Sequence, residues 1–375
     1  MIIKNEFSKT RIIFGNDKRL YLSKLIKKKN ILIVCSKRGK KKIILDKKLS
    51  FIKNNRVFWI DDVISNPTVG YFEKKNKYLK NFFFDYIVAI GGGSVIYTAK
   101  IIFLFFSLKK KTKIKNIIDN ANNLKINISC KLVVLPTISG SGSEVTPYAT
   151  IWDKKNKRKF SINHDSLYPT LSIIDPVLTF GLPKEETINS GLDCLNQAFE
   201  SIWNKNFNKN ILPYAFKSIK FTLKALDVLN ININHSKSRA DLAKASLYSG
   251  LCISQTKTNI CHSISYPLTL CFGTPHGLAC AFTMLSIINL INNKKKFFFL
   301  KLAKYLGFAS GVILEKNIKV LFAKLKVKEK NKFYIKNKKR LFFLKKYMKT
   351  QGRYENFIFK VNSNLLVHIL NKSYL

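Results

Sequence analysis

Apolar residues come in short unbroken runs in the first half of the chain and at helical spacing in the second. Asn30-Ile-Leu-Ile-Val-Cys35, Arg56-Val-Phe-Trp-Ile60, Asp85-Tyr-Ile-Val-Ala-Ile90, Lys131-Leu-Val-Val-Leu135 and Leu171-Ser-Ile-Ile-Asp175 are the clearest runs. Such runs suit strands covered on both faces. Helix-compatible stretches, for example Ser94–Leu108, separate several of them. This alternation predicts an α/β, Rossmann-like unit with a mainly parallel sheet and crossover helices.

The pattern changes after about Thr179. Pro183-Lys-Glu-Glu-Thr187 reads as a helix start, with acids near the positive end of the helix dipole. Helical spacing then holds over Asn189–Trp203, Asn210–Leu229, Ser238–Thr256 and His276–Ile291. The expected division is an α/β domain over residues 1–180 and an all-α domain over 181–375. Lys326–Lys349 is dense in lysine with Phe and Tyr interleaved. It suits a helix surface whose lysine stems lie along apolar ground, or a partly ordered segment.

A chain of 375 residues with 46% hydrophobic residues can bury a large core. Its charge is extreme: 67 Lys and Arg against 21 Asp and Glu leave +46. The lysines are spread along the whole length, and Asn, Ile and Phe, which share A/T-rich codons with Lys, are abundant too. Base drift therefore explains the charge better than nucleic-acid recognition does. We expect no specific nucleic-acid partner, only weak salt-sensitive adhesion to polyanions. Seven cysteines with no Cys-x-x-Cys pair read as small buried residues in a reducing compartment. Thiolate ligation by Cys194 or Cys261, which flank candidate metal ligands, is the minority alternative. The segment Met1–Phe7 lacks the apolar core of an export signal, and the longest apolar runs are too short to span a bilayer. The expectation is a cytoplasmic protein with no membrane partner.

Two glycine-rich turns follow strands. Gly91-Gly-Gly-Ser94 opens a helix, and Pro136-Thr-Ile-Ser-Gly-Ser-Gly-Ser-Glu144 follows the fourth strand. Glycine lets a backbone approach a pyrophosphate, and a helix N-terminus offers free N–H donors. Each could equally be a tight structural turn, but two at strand ends of one sheet favour a nucleotide site. Further on, Asp193 and Gln197 share a helix face at i,i+4 spacing, and His262 and His276 follow near prolines. Each alone is more often a satisfied polar residue. Two imidazoles with oxygen donors suit a divalent first-row ion.

These stretches together resemble the iron-containing, group III alcohol dehydrogenases. The resemblance runs from Phe14-Gly15 through Asn66-Pro67-Thr68, Gly91–Lys100, Pro136–Ile151, Asp175-Pro176 and Gly191–Glu200 to His262 and Gly277. It implies a nucleotide-binding α/β domain and a helical domain, with cofactor and metal in the cleft between them. It also implies reversible hydride transfer between NAD(P)H and a small aldehyde or alcohol, in a homodimer or higher homo-oligomer. Asp193, Gln197, His262 and His276 fall on the metal-ligand positions; Fe2+ is the first expectation, with Zn2+ or Mn2+ as alternatives. Gly92, Gly93 and Ser94 fall on the pyrophosphate loop. Thr137, Ser139 and Ser143 fall on the second cofactor loop, and Lys159 on a cofactor-contacting lysine.

Several positions depart from the family pattern. Gln197 stands where most members have a histidine, which predicts looser metal binding. Tyr97 replaces an aspartate in the glycine motif, and Tyr266 sits where some members carry a proton-relaying histidine. Ser36, followed by Lys37 and Arg38, stands where NAD-preferring members carry Asp, so NADPH is expected over NADH. The wording around Glu200–Asn206 and Lys257–Pro267 resembles the phosphonoacetaldehyde reductase (2-hydroxyethylphosphonate dehydrogenase) branch. That makes Lys257 the candidate cation for a phosphonate, against the alternative of a helix-surface lysine. The rival readings are a general short-chain alcohol or semialdehyde dehydrogenase, a sugar-phosphate lyase of the dehydroquinate synthase type, and a weakly active relic that binds polyanions.

Overall fold

The computed structural model describes residues 1–79, 81–108, 113–120, 124–128, 130–153, 158–294 and 296–374. The chain divides into two compact units, Met1–Phe180 and Gly181–Leu375.

The first unit is built on strands β1 (Ile2–Ile3), β2 (Arg11–Phe14), β3 (Asn30–Val34), β4 (Arg56–Ile60), β5 (Tyr86–Gly91), β6 (Lys131–Pro136), β7 (Tyr148–Asp153), β8 (Arg158–Asn163) and β9 (Leu171–Ile174). Seven of them form one sheet in the order β1-β2-β9-β6-β5-β3-β4. Only the β1–β2 pairing is antiparallel there; β7 and β8 make a separate antiparallel hairpin. Helices α1 (Tyr21–Leu25), α2 (Lys37–Leu45), α3 (Val69–Tyr78), α4 (Gly93–Ser107) and α5 (Ile114–Asp119) complete the unit.

The unbroken apolar runs have the predicted cause. Successive side chains of a strand point to opposite faces. Leu32, Val34, Ile87, Ala89, Leu132 and Val134 enter one core with α4. Ile31, Ile33, Val88, Ile90, Val133 and Leu135 enter another with Leu22, Phe51 and Ile173. A strand with a core on each face leaves no polar side, so alternation is absent from its sequence.

The second unit is helical: α6 (Lys184–Ile202), α7 (Leu212–Leu229), α8 (Ser236–Thr256), α9 (Ile260–Phe272), α10 (His276–Lys294), α11 (Lys296–Leu306), α12 (Gly311–Lys324), α13 (Val327–Tyr334), α14 (Lys338–Phe343) and α15 (Ser363–Tyr374). Glu185 and Glu186 lie in the first turn of α6. The Phe199, Trp203 and Phe299 rings stack with centroids 5.2–6.4 Å apart, which anchors the far end of that helix. The lysine-dense Lys326–Lys349 segment folds into α13, α14 and a short 3-10 turn, burying Val327, Leu341 and Leu344.

Four elements differ from the sequence expectation. β2 has too short an apolar run to stand out. β7 and β8 mix polar and apolar residues. Helix α9 contains Pro267, which removes a helical N–H and reads as a break in sequence. Among the cysteines, Cys271 is half-exposed rather than buried.

Candidate metal centre and nucleotide turns

Helix α6 presents Asp193, Gln197 and Glu200 at i, i+4 and i+7, one stripe of a helix. All three are buried. Helix α9 carries His262 in its first turn, and α10 begins at His276. Gly277 lets α10 press on α6: a Cβ there would lie 2.8 Å from the Asn189 carbonyl carbon and 3.0 Å from the Asp193 nitrogen.

The outcome is a cluster of Asp193, His262, His276 and Cys280, whose donor atoms all lie within 4.8 Å of one another. Two donors bonded to a common ion at roughly 2.0–2.3 Å are themselves separated by up to about 4.4 Å. The cluster therefore fits one divalent ion with small side-chain adjustments. His262 is gripped at both ring nitrogens. Nδ1 lies 2.5 Å from Glu200 Oε2, and Nε2 lies 3.1 Å from Asp193 Oδ1. Glu200 also accepts from the backbone N–H groups of Asn259, Cys261 and His262. Burial alone would lower the His262 pKa, but the neighbouring Cys280, Glu200 and Asp193 carry it well above the ordinary value. His262 thus sits between two buried carboxylates, and a cation shared with Asp193 would be held at its Nε2.

Gln197 lies on the same stripe, and its Oε1 accepts from Ser249 Oγ at 3.0 Å. The Tyr266 ring stacks on His276, with centroids 5.9 Å apart. His276 Nδ1 is 3.4 Å from Ser265 Oγ. Neither flanking cysteine belongs to the cluster: Cys194 Sγ meets the hydroxyls of Ser218 and Thr222, and Cys261 is fully buried beside Thr283. Sequence reasoning missed Cys280 and the role of Glu200. The available signals were spacings, Cys280 at i+4 from His276 and Glu200 at i+7 from Asp193.

Lys257 occupies the turn between α8 and α9, with φ 61° and ψ 174°. A side-chain residue is strained there, and such conformations gather at functional sites. Burial lowers its pKa, and the nearby Arg353 lowers it further.

In the first unit, Gly92 is the N-cap of α4 and, as glycine, offers no side-chain cap to the first amides of that helix. The second turn packs directly against it. Thr137 N donates to Gly91 O at 3.0 Å, and a Cβ on Gly93 would sit 3.1 Å from Ser141 Oγ. Ser139 and Ser143 are buried, and the Ser143 hydroxyl pairs with that of Ser141 at 2.8 Å. Lys100 is fully buried and donates to the carbonyls of Ser143, Thr146 and Tyr148 at 2.5–3.1 Å. It fixes the second turn against α4. Burial pushes its pKa down to about 7, opposed by Glu144. Lys159 lies over the Trp152 ring on the β7–β8 hairpin. Ser36 caps α2 by accepting from Gly39 N, which sets Lys37 in the first turn of that helix. The carboxylate at the end of the next strand, Asp61, is paired with Lys40 at 2.9 Å.

Fold and donor cluster together define a protein with paired glycine turns at parallel strand ends and, among helices, a buried donor cluster of a size that fits a divalent ion. The family profile for iron-containing alcohol dehydrogenase matches residues 9–176, and that for the C-terminal part of the Fe-containing alcohol dehydrogenase family matches 187–373. The chain belongs to the iron-containing alcohol dehydrogenase family. It is 34% identical over 154 residues to phosphonoacetaldehyde reductase of Streptomyces viridochromogenes, covering 41% of this chain and 39% of that one. It is 26% identical to an NADPH-dependent butanol dehydrogenase of Clostridium saccharobutylicum over 80% of this chain and 77% of that one. Its structure matches an iron-containing alcohol dehydrogenase from Thermococcus thioreducens with a TM-score of 0.86, 25% identity and 99% coverage of both chains. The matches span 32–39% of the length of the first curated relatives. Among the described residues, no helix is long and apolar enough to cross a membrane.

Proposed function

We propose that the protein is a metal-dependent NAD(P)H-linked aldehyde reductase, with phosphonoacetaldehyde reduced to 2-hydroxyethylphosphonate as the leading reaction. The observation that carries the reading is the convergence of Asp193, His262 and His276 from three helices on one point. Asp193, His262 and His276, with Gln197, would hold the ion. A divalent ion bound there supplies a Lewis acid that polarises a carbonyl oxygen.

The chain's own residues do the rest. Glu200 fixes the His262 ring and keeps Nδ1 protonated, so that Nε2 faces the donor cluster. Tyr266, whose ring stacks on His276, would pass a proton to the nascent hydroxyl. The uncapped amides at Gly93 and Ser94 would take the cofactor pyrophosphate. Thr137, Ser139, Ser143 and Lys159 would border the rest of the dinucleotide. Ser36 and Lys37 favour a 2′-phosphate, because no free carboxylate stands at that strand end to repel it. Similarity to an NADPH-dependent relative supports the same preference. Lys257, with Arg353 beside it, would take the anionic end of the substrate.

The test is one panel with metal-loaded protein. Phosphonoacetaldehyde, butanal and a four-carbon semialdehyde are each assayed with NADPH and with NADH, for wild type and Lys257→Ala. The expected result is oxidation of NADPH in preference to NADH, with K257A losing far more on phosphonoacetaldehyde than on butanal. Equal losses would remove Lys257 from the site. Absence of aldehyde-dependent oxidation of either nucleotide would overturn the reading.

A further inference from the structure

We propose that Cys280 is a direct metal ligand, supplying a thiolate to a site of Asp193, His262, His276 and Cys280. The assignment rests on the metal reading above and changes the chemistry of the site. His276 and Cys280 are one helical turn apart on α10 and so share a face. Cys280 Sγ lies 4.0 Å from His276 Nε2. It is fully buried and falls within the same 4.8 Å donor group as the carboxylate and both imidazoles.

Among the described residues, no competing sulfur reaches that group. Cys194 is occupied by two hydroxyls, and Cys252 Sγ donates to Ile211 O at 3.7 Å. The oxygen of Gln197 already accepts from Ser249. A neutral amide oxygen is a poor replacement for an imidazole in holding a soft or borderline ion. A thiolate compensates: with Asp193 it brings two negative charges to balance a divalent cation. Sulfur ligation favours zinc or ferrous iron over manganese or magnesium, which prefer oxygen. The thiol loses its proton to solvent as the ion binds.

Cobalt(II) loading of the full chain tests the assignment without reference to turnover. Visible ligand-field bands report that cobalt is bound. A near-ultraviolet sulfur-to-cobalt charge-transfer band reports a thiolate ligand. The wild type is expected to show both, while Cys280→Ser keeps the visible bands and loses the charge-transfer band. The same variant should weaken zinc binding by at least the roughly 10–100-fold seen when outer-shell partners are removed. Visible bands without charge transfer in the wild type would overturn the proposal and leave the metal reading standing. Survival of the charge-transfer band in C280S would also overturn it. Failure to take up cobalt at all would remove both. Should C280S not fold, the wild-type spectrum still decides for or against a thiolate. Cys194→Ser and Cys261→Ser, each in the wild-type background, then identify the residue: a charge-transfer band retained in both supports Cys280 as the ligand, and its loss in either overturns it.

Discussion

Replacing Gly277 with alanine should cripple metal binding while touching no ligand. Gly277 is the second residue of α10, directly after His276. A Cβ there would press into the carbonyl of Asn189, 2.8 Å from its carbon, and would stand 3.0 Å from the backbone nitrogen of Asp193. Carbon atoms rest at about 3.5–4.0 Å, so α10 and α6 must part by roughly 0.7 Å or more. Both contacts are to backbone, so no side chain can rotate out of the way. Metal bonds tolerate only about ±0.2 Å. The separation therefore falls on the distance between Asp193 and His276. Overpacking of this kind costs about 1–3 kcal/mol. Passed to the site, that is roughly a 5- to 150-fold loss of affinity. The assay is zinc affinity by chelator competition, together with urea unfolding of the metal-free protein to separate loss of fold from loss of site. Gly70→Ala serves as the control, because a Cβ there meets nothing within 4 Å. It lies in α3, where alanine should be neutral or stabilising by about 0.4–1 kcal/mol. A folded G277A protein with wild-type zinc affinity would refute the claim that close packing of these two helices builds the centre.

Glu200→Gln should lower metal affinity by about 10–100-fold, since it takes the carboxylate from His262 Nδ1 and from three backbone donors; unchanged chelator competition would reject the role. Lys100→Met should destabilise the first unit by several kcal/mol, because it strips the donor from three carbonyls at about 1–3 kcal/mol for each group left unsatisfied. Since burial holds Lys100 at about 7 in the folded chain, the unfolded chain binds more protons above that pH, up to its ordinary value near 10.5. This residue alone therefore makes stability rise with pH across that window. Urea midpoints measured through it should show that rise flattened in K100M; an equal slope in both proteins would refute it. Ser36→Asp keeps a capping side chain on α2. It should still shift the kcat/KM ratio of NADPH to NADH by tenfold or more, about 1.4 kcal/mol, toward NADH; an unmoved ratio would detach Ser36 from cofactor choice.

The parallel sheet was legible because its central strands leave no polar face. β5 is buried at every position, and its run ends at the glycines that begin α4. β7 and β8 gave no such signal. Tyr148-Ala-Thr-Ile-Trp-Asp153 is buried at its first five positions but is interrupted by the polar Thr150, and its partner strand carries Arg158, Lys159, Ser161 and Asn163. β2 is covered on three of its four residues, but a run of three apolar residues is too common to mark a strand. α9 was hidden by Pro267 in its interior, while the candidate ligand His262 lies in its first turn. Lys100 shows the opposite limit. Its place in the glycine motif gives no sign of its role, which the structure shows: its ammonium is spent on three backbone carbonyls and fixes the second turn.

The donor cluster was legible where residue type alone implies chemistry and illegible where it does not. Asp193, His262 and His276 are scarce types in this chain, which has five histidines and few acids. Cys280 reads in sequence as one more small apolar residue among seven cysteines, six of which are indeed buried. Only its height on α10, one turn beyond His276, separates it from the rest. Glu200 was invisible for another reason. Its carboxylate is consumed by one imidazole and three amides, contacts made by residues some sixty positions away that no local pattern reports. On the proposed reading, that same carboxylate would offset part of the loss of one expected imidazole. Hydrogen bonding to Nδ1 makes His262 a better donor at Nε2, and the anion at its back raises the pull on any cation in front. If the proposed ligand set holds, Gln197 would weaken the centre at one corner, while Glu200 and Cys280 would reinforce it from two others.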